Sequence, residues 1–182
     1  NGLSVAIIKI NEIFASDSIV WQGKDSIAVS MVVTNEASDP ASEIAGLLTF
    51  NPFTSEYFQE RIDTISIILP GQQQVLSFLV SVDSAATPGT VYINGEISAL
   101  VNSIQVIDNN ATIPDSWEVL SSPDLIYIPE SLFPQSATQG QTIVFSLELK
   151  NNGSMGLILN ENSRILIIDE NDTLSANLID EI

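Results

Sequence analysis

The sequence contains no cysteine, no histidine and only five basic residues. Without cysteine there can be no disulfide, thiolate metal site or cysteine nucleophile. Without histidine the commonest general base and zinc ligand are missing, so a Ser-His-Asp triad is impossible. The basic residues are scattered, whereas nucleic acids and anionic membranes are bound by clustered positive charge. These absences exclude nucleic-acid binding and argue against most enzyme chemistry.

Long apolar runs and an export leader are also missing. No apolar run reaches the length of a membrane-spanning helix, so we predict no membrane insertion. The start Asn1-Gly2-Leu3 has neither the basic residues nor the apolar block of a signal peptide, and Asn1 is not an initiator methionine. We therefore expect a processed product or a fragment of a longer protein.

Apolar and acidic residues dominate what is there. Hydrophobic residues form 45% of the 182 positions, and 23 acidic residues against 5 basic ones give a net charge of -18. The length allows one large domain or two modest ones. We interpret the acidity as a source of solubility and mutual repulsion; divalent-cation binding or a salty environment is the alternative.

Hydrophobic residues recur at every second position, which is typical of strands with one face in a core. Turn clusters rich in Gly, Asn and Pro separate these runs about every ten residues, as in a β-sandwich or barrel. The stretch 54–61 is predicted to form one helical turn or an irregular link. The positions predicted to face inward are Ile27, Val29, Met31, Val33, Leu76, Phe78, Val80, Val82, Val91, Ile93, Ile97, Ala99, Ile143, Phe145, Leu147 and Leu149.

An internal repeat is the most informative feature. Residues 22–35 and 139–151 both read as a Gly turn, an alternating strand and a terminal Asn, and Gly140 follows Gly23 by 117 residues. This spacing is the usual length of an immunoglobulin-like domain; chance similarity of two amphipathic strands is the alternative. We predict an all-β chain of two tandem immunoglobulin-like sandwiches, in residues 1–121 and 122–182.

The second copy is predicted to contain only the N-terminal half of its sandwich. Counterparts of the strands at 74–82 and 89–101 would fall beyond residue 182. Half a sandwich exposes core and unpaired edges. Three explanations stay open: a remainder outside this sequence, a smaller second domain, or strands donated by another molecule.

The repeat resembles CARDB-like domains of bacterial and archaeal cell-surface proteins. One half of the resemblance is the strand 143–150 ending in Asn151-Asn152-Gly153-Ser154. The other is the Pro70-Gly71 turn and its strand, followed by Pro88-Gly89 and a strand containing Tyr92-Ile93. The resemblance implies a spacer, an adhesive module or an appendage of a secreted enzyme, without a shared site to transfer. The family usually has Gly near Ala37, so we expect the turn there to differ.

Few residues suggest chemistry. The densest group of oxygen ligands is 169–173, Asp-Glu-Asn-Asp-Thr, which lacks the spacing of an EF-hand, so we read it as a polar hairpin turn with calcium as the weak alternative. The run 108–110, Asp-Asn-Asn, is read as a plain turn. Paired carboxylates can hydrolyse glycosides without histidine, but spacing selects no pair among Glu43, Glu56, Glu60 and Asp63.

Aromatic residues are the remaining candidates. Trp21 and Trp117 could stack on sugars, but each lies beside a predicted strand, so packing in a core or between domains is preferred. An aromatic cluster in a linking segment could cap the sandwich or contact the next subunit; it comprises Phe50, Phe53, Tyr57 and Phe58.

The sequence therefore predicts a non-enzymatic structural or adhesive module of an exported cell-surface protein, with no catalytic, cofactor-binding or metal-binding residue assigned. Its partners would be proteins, including copies of itself placed end to end, or glycans. Two alternatives stay open: an extracellular filament subunit assembled by β-strand donation between copies, and a carbohydrate-binding accessory domain of a secreted enzyme.

Overall fold

The computed structural model describes residues 7–62, 65–129, 131, 138, 140–141, 144, 146–159, 164–169 and 172–177, with backbone alone at 60–62, 164–169 and 172–177. Contacts divide the chain into two compact units, residues 1–122 and 123–182. The sequence predicted a boundary one residue earlier.

Unit 1 contains ten strands and one 3₁₀ turn among its described residues. In chain order they are β1 (Ile8–Ala15), β2 (Ile19–Trp21), β3 (Ile27–Asn35), β4 (Ala41–Asn51), the 3₁₀ turn (Thr54–Glu56), β5 (Tyr57–Ile62), β6 (Ile65–Ile68), β7 (Gln73–Val82), β8 (Gly89–Val101), β9 (Ile104–Asp108) and β10 (Asp115–Leu120). The stretch 54–61 thus forms one helical turn, as predicted, and then a strand that was not predicted.

The strands of unit 1 form two sheets with a core between them. Sheet A has the order β1-β3-β7-β5, and sheet B has the order β2-β10-β8-β4-β6, with β9 paired to the C-terminal half of β8. All pairs are antiparallel except β2 with β10. Sheet A and the β10-β8-β4 centre of sheet B have the neighbour order of an immunoglobulin-like sandwich. The all-β sandwich prediction is confirmed.

Side-chain alternation explains why these segments are strands. Each predicted inward position of β3, β7 and β8 is buried, with Met31, Leu76 and Ile93 completely so. Pleated strands direct alternate side chains to opposite faces, so these residues meet between the sheets. Ile143 and Phe145 lie outside the described residues, and Leu147 and Leu149 are only half-buried.

The described strands of unit 2 form two pairs. They are β11 (Leu125–Tyr127), β12 (Leu149–Asn151), β13 (Arg164–Asp169) and β14 (Asp172–Asn177). β11 pairs antiparallel with β12, and β13 with β14. The first pair has the register of β1 with β3, because Leu125 faces Asn151 just as Ile8 faces Asn35.

The repeat extends to individual hydrogen bonds at its two asparagines. The Oδ1 atom of Asn35 accepts from the amide of Ala37 at 3.0 Å, and its Nδ2 donates to the Asp39 carbonyl at 2.8 Å. The same atoms of Asn151 accept from the amide of Gly153 at 3.0 Å and donate to the Met155 carbonyl at 2.7 Å.

The described turns of the two copies thus agree, as the repeat predicts. Neither Ala37 nor Gly153 has a positive φ angle, and the expected difference from the turn of CARDB-like domains stays a prediction. Glycine's conformational freedom is therefore not needed at either residue. It is needed at Gly23 and Gly140, whose φ angles are 76° and 84°, and both glycines lie in equivalent turns.

Candidate functional site

The predicted calcium candidates lie in turns. Asp169 pairs with Asp172 across the β13–β14 hairpin, which confirms the hairpin interpretation; the residues between them lie outside the described part. In the other run, the Asp108 carboxylate accepts hydrogen bonds from the amides of Ile10 at 2.8 Å and Asn110 at 3.2 Å. Within the described residues, no three acidic side chains come together as a metal site would require.

Two carboxylates protect the outer edge of sheet A. β1 is an edge strand, and its Ile10 amide donates to Asp108. Further along, the amide of Ala15 donates to the Asp115 carboxylate at 2.7 Å. An unpaired strand edge is a template for association, and these bonds occupy part of it. The acidic side chains here stabilise the architecture.

A glutamine side chain pairs with β4 beyond the part of that strand that β6 covers, and the sequence does not predict this contact. The Gln59 side chain accepts from the Leu48 amide at 3.1 Å and donates to the Leu48 carbonyl at 3.0 Å. Asp115 was also missed, because its partner lies 100 residues away. No spacing in the sequence signals either contact.

Among the candidate hydrolytic carboxylates, the structure describes the side chains of Glu43 and Glu56. Glu56 binds the amide of Thr87 at 2.8 Å and its hydroxyl at 2.9 Å, which fastens one loop at the end of the sandwich. Glu43 lies within β4 with a positive φ of 51°, at the irregularity between Ser42 and Ala45. The side chain of Glu60, and all of Asp63, fall outside the described residues.

Trp117 belongs to the core. Its ring stacks on Phe50 with centroids 5.6 Å apart, and Tyr57 lies 5.7 Å away on a tilted plane. The packing interpretation is therefore confirmed for this residue. The four aromatic residues predicted to cluster at 50–58 do not share one environment. Phe50 and Tyr57 are buried, whereas Phe53 and Phe58 are exposed.

The polar atoms of this aromatic group are buried. Neither the Tyr57 hydroxyl nor the Trp117 Nε1 has a hydrogen-bond partner among the described residues. Burial, and secondarily the charge of Glu56, raise the pKa of Tyr57 to about 12. The neighbouring indole N–H opposes this shift weakly, although the two groups lack hydrogen-bonding geometry. The phenol therefore stays protonated at ordinary pH.

Trp21 lies at the surface, so the prediction that it packs in the core is wrong, and packing between domains stays a prediction. The side chain is 39% exposed on the short edge strand β2. Lys24 Nζ lies 4.4 Å from the ring centroid and 3.1 Å from an Asp17 carboxylate oxygen. Hydrogen bonds from Lys24 and then Ser16 lower the pKa of Asp17. The cation occupies one face of the indole.

An open groove lies beside β1 in unit 1. Its volume is about 420 Å³, and its lining is Ile7, Ile8, Lys9, Glu36, Ile107, Asp108 and Asn110. Asp108 is part of this lining, and its carboxylate already accepts hydrogen bonds from two backbone amides. The groove therefore presents no obvious set of ligand-directed polar groups.

Two apolar residues of β11 are exposed where their counterparts in unit 1 are buried. Leu125 is 42% exposed and Tyr127 48%, while the equivalent Ile8 and Ile10 are 2% and 0% exposed. The alternation of β11 places Leu125 and Tyr127 on one face. This inner face of the β11–β12 pair is the candidate functional site.

No family model matches the sequence, and no curated protein matches it. The CARDB-like resemblance therefore stays a prediction. Sixteen solved chains are similar in structure. The cupredoxin domain of amoB from Nitrosocaldus yellowstonii is 12% identical, with 65% of this chain and 90% of that chain covered at a TM-score of 0.44.

The GAE domain of GGA2p from Saccharomyces cerevisiae is 14% identical, with 58% of this chain and 84% of that chain covered at a TM-score of 0.36. Similarity at this level carries no functional information. Among the described residues there is no helix long and apolar enough to cross a membrane.

Proposed function

We propose that the chain is a non-enzymatic structural or adhesive module of an exported cell-surface protein. The observation that carries this proposal is the tandem repeat, in which two units use the same strand pair and the same asparagine turn. Tandem domains of one design are suited to extend a chain and present surfaces along it.

The roles of the acidic side chains support the same conclusion. Asp108, Asp115 and Glu56 bind backbone amides of distant segments, and a carboxylate used in this way is not free for acid–base chemistry. The excess negative charge of the chain favours solubility and repels anionic surfaces. These features suit a module that acts through shape.

Surface labelling of the source cells tests the proposal. Antibodies raised against the purified 182-residue chain should label intact, unpermeabilised cells, and brief protease treatment of those cells should remove the signal. Labelling that needs permeabilisation would refute the surface location. A hydrolase activity of the purified chain that disappears when one carboxylate is changed to its amide would refute the non-enzymatic role.

The exposure of Trp21 favours carbohydrate binding as a second candidate. An accessible indole can stack on a sugar ring, and Trp21 is 39% exposed with Lys24 over one face of its ring. A glycan array probed with the native chain and with Trp21→Ala, with and without calcium, separates the candidates. Binding that disappears in the variant would support this candidate, and an array without hits would remove it.

A further inference from the structure

The chain contains three Asn-Gly pairs, Asn1-Gly2, Asn94-Gly95 and Asn152-Gly153. An asparagine followed by glycine is the pair that deamidates most readily, because glycine has no Cβ to hinder attack of its amide nitrogen on the asparagine side chain. The first pair lies outside the described residues, and the structure places the other two in very different surroundings.

Asn94-Gly95 lies in the middle of β8, and its carboxamide is bonded at both polar atoms. Oδ1 accepts from the amides of Gly95 at 2.9 Å and Ala111 at 2.8 Å, and Nδ2 donates to the side chain of Asn110 at 2.9 Å. Gly95 itself is buried. Solvent base reaches its amide only when β8 opens, and a central strand opens rarely.

Asn152-Gly153 lies in the turn after β12. The Asn152 side chain is exposed, and no hydrogen bond to it is found among the described residues. The backbone amide of Asn152 donates to the Asp124 carbonyl at 2.8 Å. The Gly153 amide donates to Oδ1 of Asn151 at 3.0 Å, and Asn151 is partly exposed. The attacking nitrogen is therefore held by a bond that water can replace.

The first copy of the repeat shows that the turn does not require this reactive pair. Residues 36 and 37 are Glu and Ala at the positions equivalent to Asn152 and Gly153. Ala37 nevertheless donates to Asn35 at 3.0 Å, just as Gly153 donates to Asn151. The Asn-Gly pair thus adds chemical reactivity to a turn that forms without it.

We propose that Asn152 is a site of spontaneous deamidation, which converts the turn after β12 into aspartyl and isoaspartyl forms. The Gly153 nitrogen loses its proton to solvent base and bonds to Asn152 Cγ, while the side-chain nitrogen takes up a proton and leaves as ammonia. Water then opens the resulting succinimide at either carbonyl. The net reaction consumes one water and releases one ammonia, without any oxidant or reductant.

The inference goes beyond the proposed function, because it concerns a slow covalent change of the chain itself. Both products add a negative charge to a chain that already carries -18. The isoaspartyl product also lengthens the backbone between Asn151 and Gly153 by one carbon, which displaces the Gly153 amide from its bond to Asn151. We therefore expect the turn of unit 2 to loosen with age, while the equivalent turn of unit 1 stays unchanged.

Peptide mapping by mass spectrometry during incubation of the native chain at mildly alkaline pH tests the site. Replacing the side-chain NH₂ by OH shifts the peptide mass, and fragment ions distinguish Asn152 from Asn151. Asn152 should react at least about tenfold faster than Asn94, because β8 must open before Asn94 can react. In urea the two rates should agree within about threefold, since both pairs are then solvated.

The same measurement can overturn the proposal. It fails if Asn94 and Asn152 react equally fast in the native chain. It also fails if native Asn152 is stable under conditions in which Asn152 of the unfolded chain reacts, because the turn would then prevent the attack.

Gly153→Ala is the matched variant, because alanine is the residue of unit 1 at this position. A Cβ hinders the attacking nitrogen, so deamidation at Asn152 should slow about tenfold or more while Asn94 keeps its rate. An unchanged rate at Asn152 would contradict attack by the Gly153 nitrogen. If Gly153→Ala disturbs the turn, the comparison of native and unfolded chain still decides.

Hydrogen exchange of the aged chain tests the structural consequence. The Gly153 amide should exchange faster in the isoaspartyl form than in the unreacted chain, because its bond to Asn151 is lost. The Ala37 amide, which makes the equivalent bond in unit 1, is the internal control and should not change. Equal exchange of Gly153 before and after the reaction would contradict the predicted loosening.

Discussion

Replacing Asn35 by alanine tests how much of the stability of unit 1 depends on the turn that the two copies of the repeat share. The Asn35 side chain is completely buried. It makes three hydrogen bonds: from Nδ2 to the carbonyls of Asp39 at 2.8 Å and Ile68 at 2.9 Å, and to Oδ1 from the Ala37 amide at 3.0 Å. Alanine would leave all three backbone groups without this partner.

Each unsatisfied buried group costs about 1–3 kcal/mol, and partial relaxation reduces the total. We therefore expect Asn35→Ala to lower the free energy of unfolding by about 3 kcal/mol. With a urea dependence of about 2 kcal/mol per molar, the midpoint should fall by about 1.5 M. The fluorescence of the buried Trp117 reports this transition.

Asn151→Ala is the matched control, since it removes the two equivalent bonds, to Gly153 and Met155, from the corresponding turn of unit 2. Asn151 is partly exposed, so water can replace its bonds, and the Trp117 transition should not move. A loss below about 0.5 kcal/mol for Asn35→Ala would show that water or relaxation satisfies the three groups, and would refute the reasoning. An equal shift of that transition with Asn151→Ala would refute it as well.

Three further predictions concern the interior and one loop of unit 1. Because burial raises the pKa of Tyr57 from 10.0 to about 12, the unfolded chain loses this proton first, and stability should fall as the pH rises through that window. Urea midpoints should show that Tyr57→Phe removes this part of the fall, and an unchanged pH dependence would contradict the assignment. Gly95→Ala places a Cβ against the Met31 methyl carbon, closer than van der Waals contact, which should cost about 1–3 kcal/mol in thermal unfolding. Met31→Val in the same chain should recover part of the loss, and no recovery would contradict a clash at that methyl. Glu56→Ala removes both bonds to Thr87 and should speed hydrogen exchange of that amide with a stability loss of about 1 kcal/mol; unchanged exchange would show that other contacts hold the loop.

The alternating strands could be predicted from sequence because their pattern is local. β3, β7 and β8 carry an apolar residue at almost every second position, and period two identifies a half-buried strand without tertiary information. The terminal asparagine of β3 was recognised through the repeat. Its hydrogen bonds lie within four residues except the one to Ile68.

Features that depend on distant partners could not be predicted. β2 is three residues long and pairs in parallel with β10 about 100 residues later, and such short edge strands have little pattern of their own. The β8–β9 hairpin turns at Asn102 and Ser103, both with positive φ, without the glycine that usually marks such a turn. The sequence also does not indicate which tryptophan is buried, because Trp21 and Trp117 both lie in strands.

The two copies of the repeat separate what local sequence determines from what tertiary packing adds. Asn35 and Asn151 make the same turn with two equivalent bonds, although the first is completely buried and the second partly exposed. The turn therefore forms without a complete core around it. Burial of the adjacent strand is different, because Ile8 is covered and Leu125 is not, despite equal register. Ile8 is covered by strands remote in sequence, β8 and β10 of sheet B among them. The local pattern therefore sets the register of the strand pair, whereas packing from an opposite sheet sets its burial.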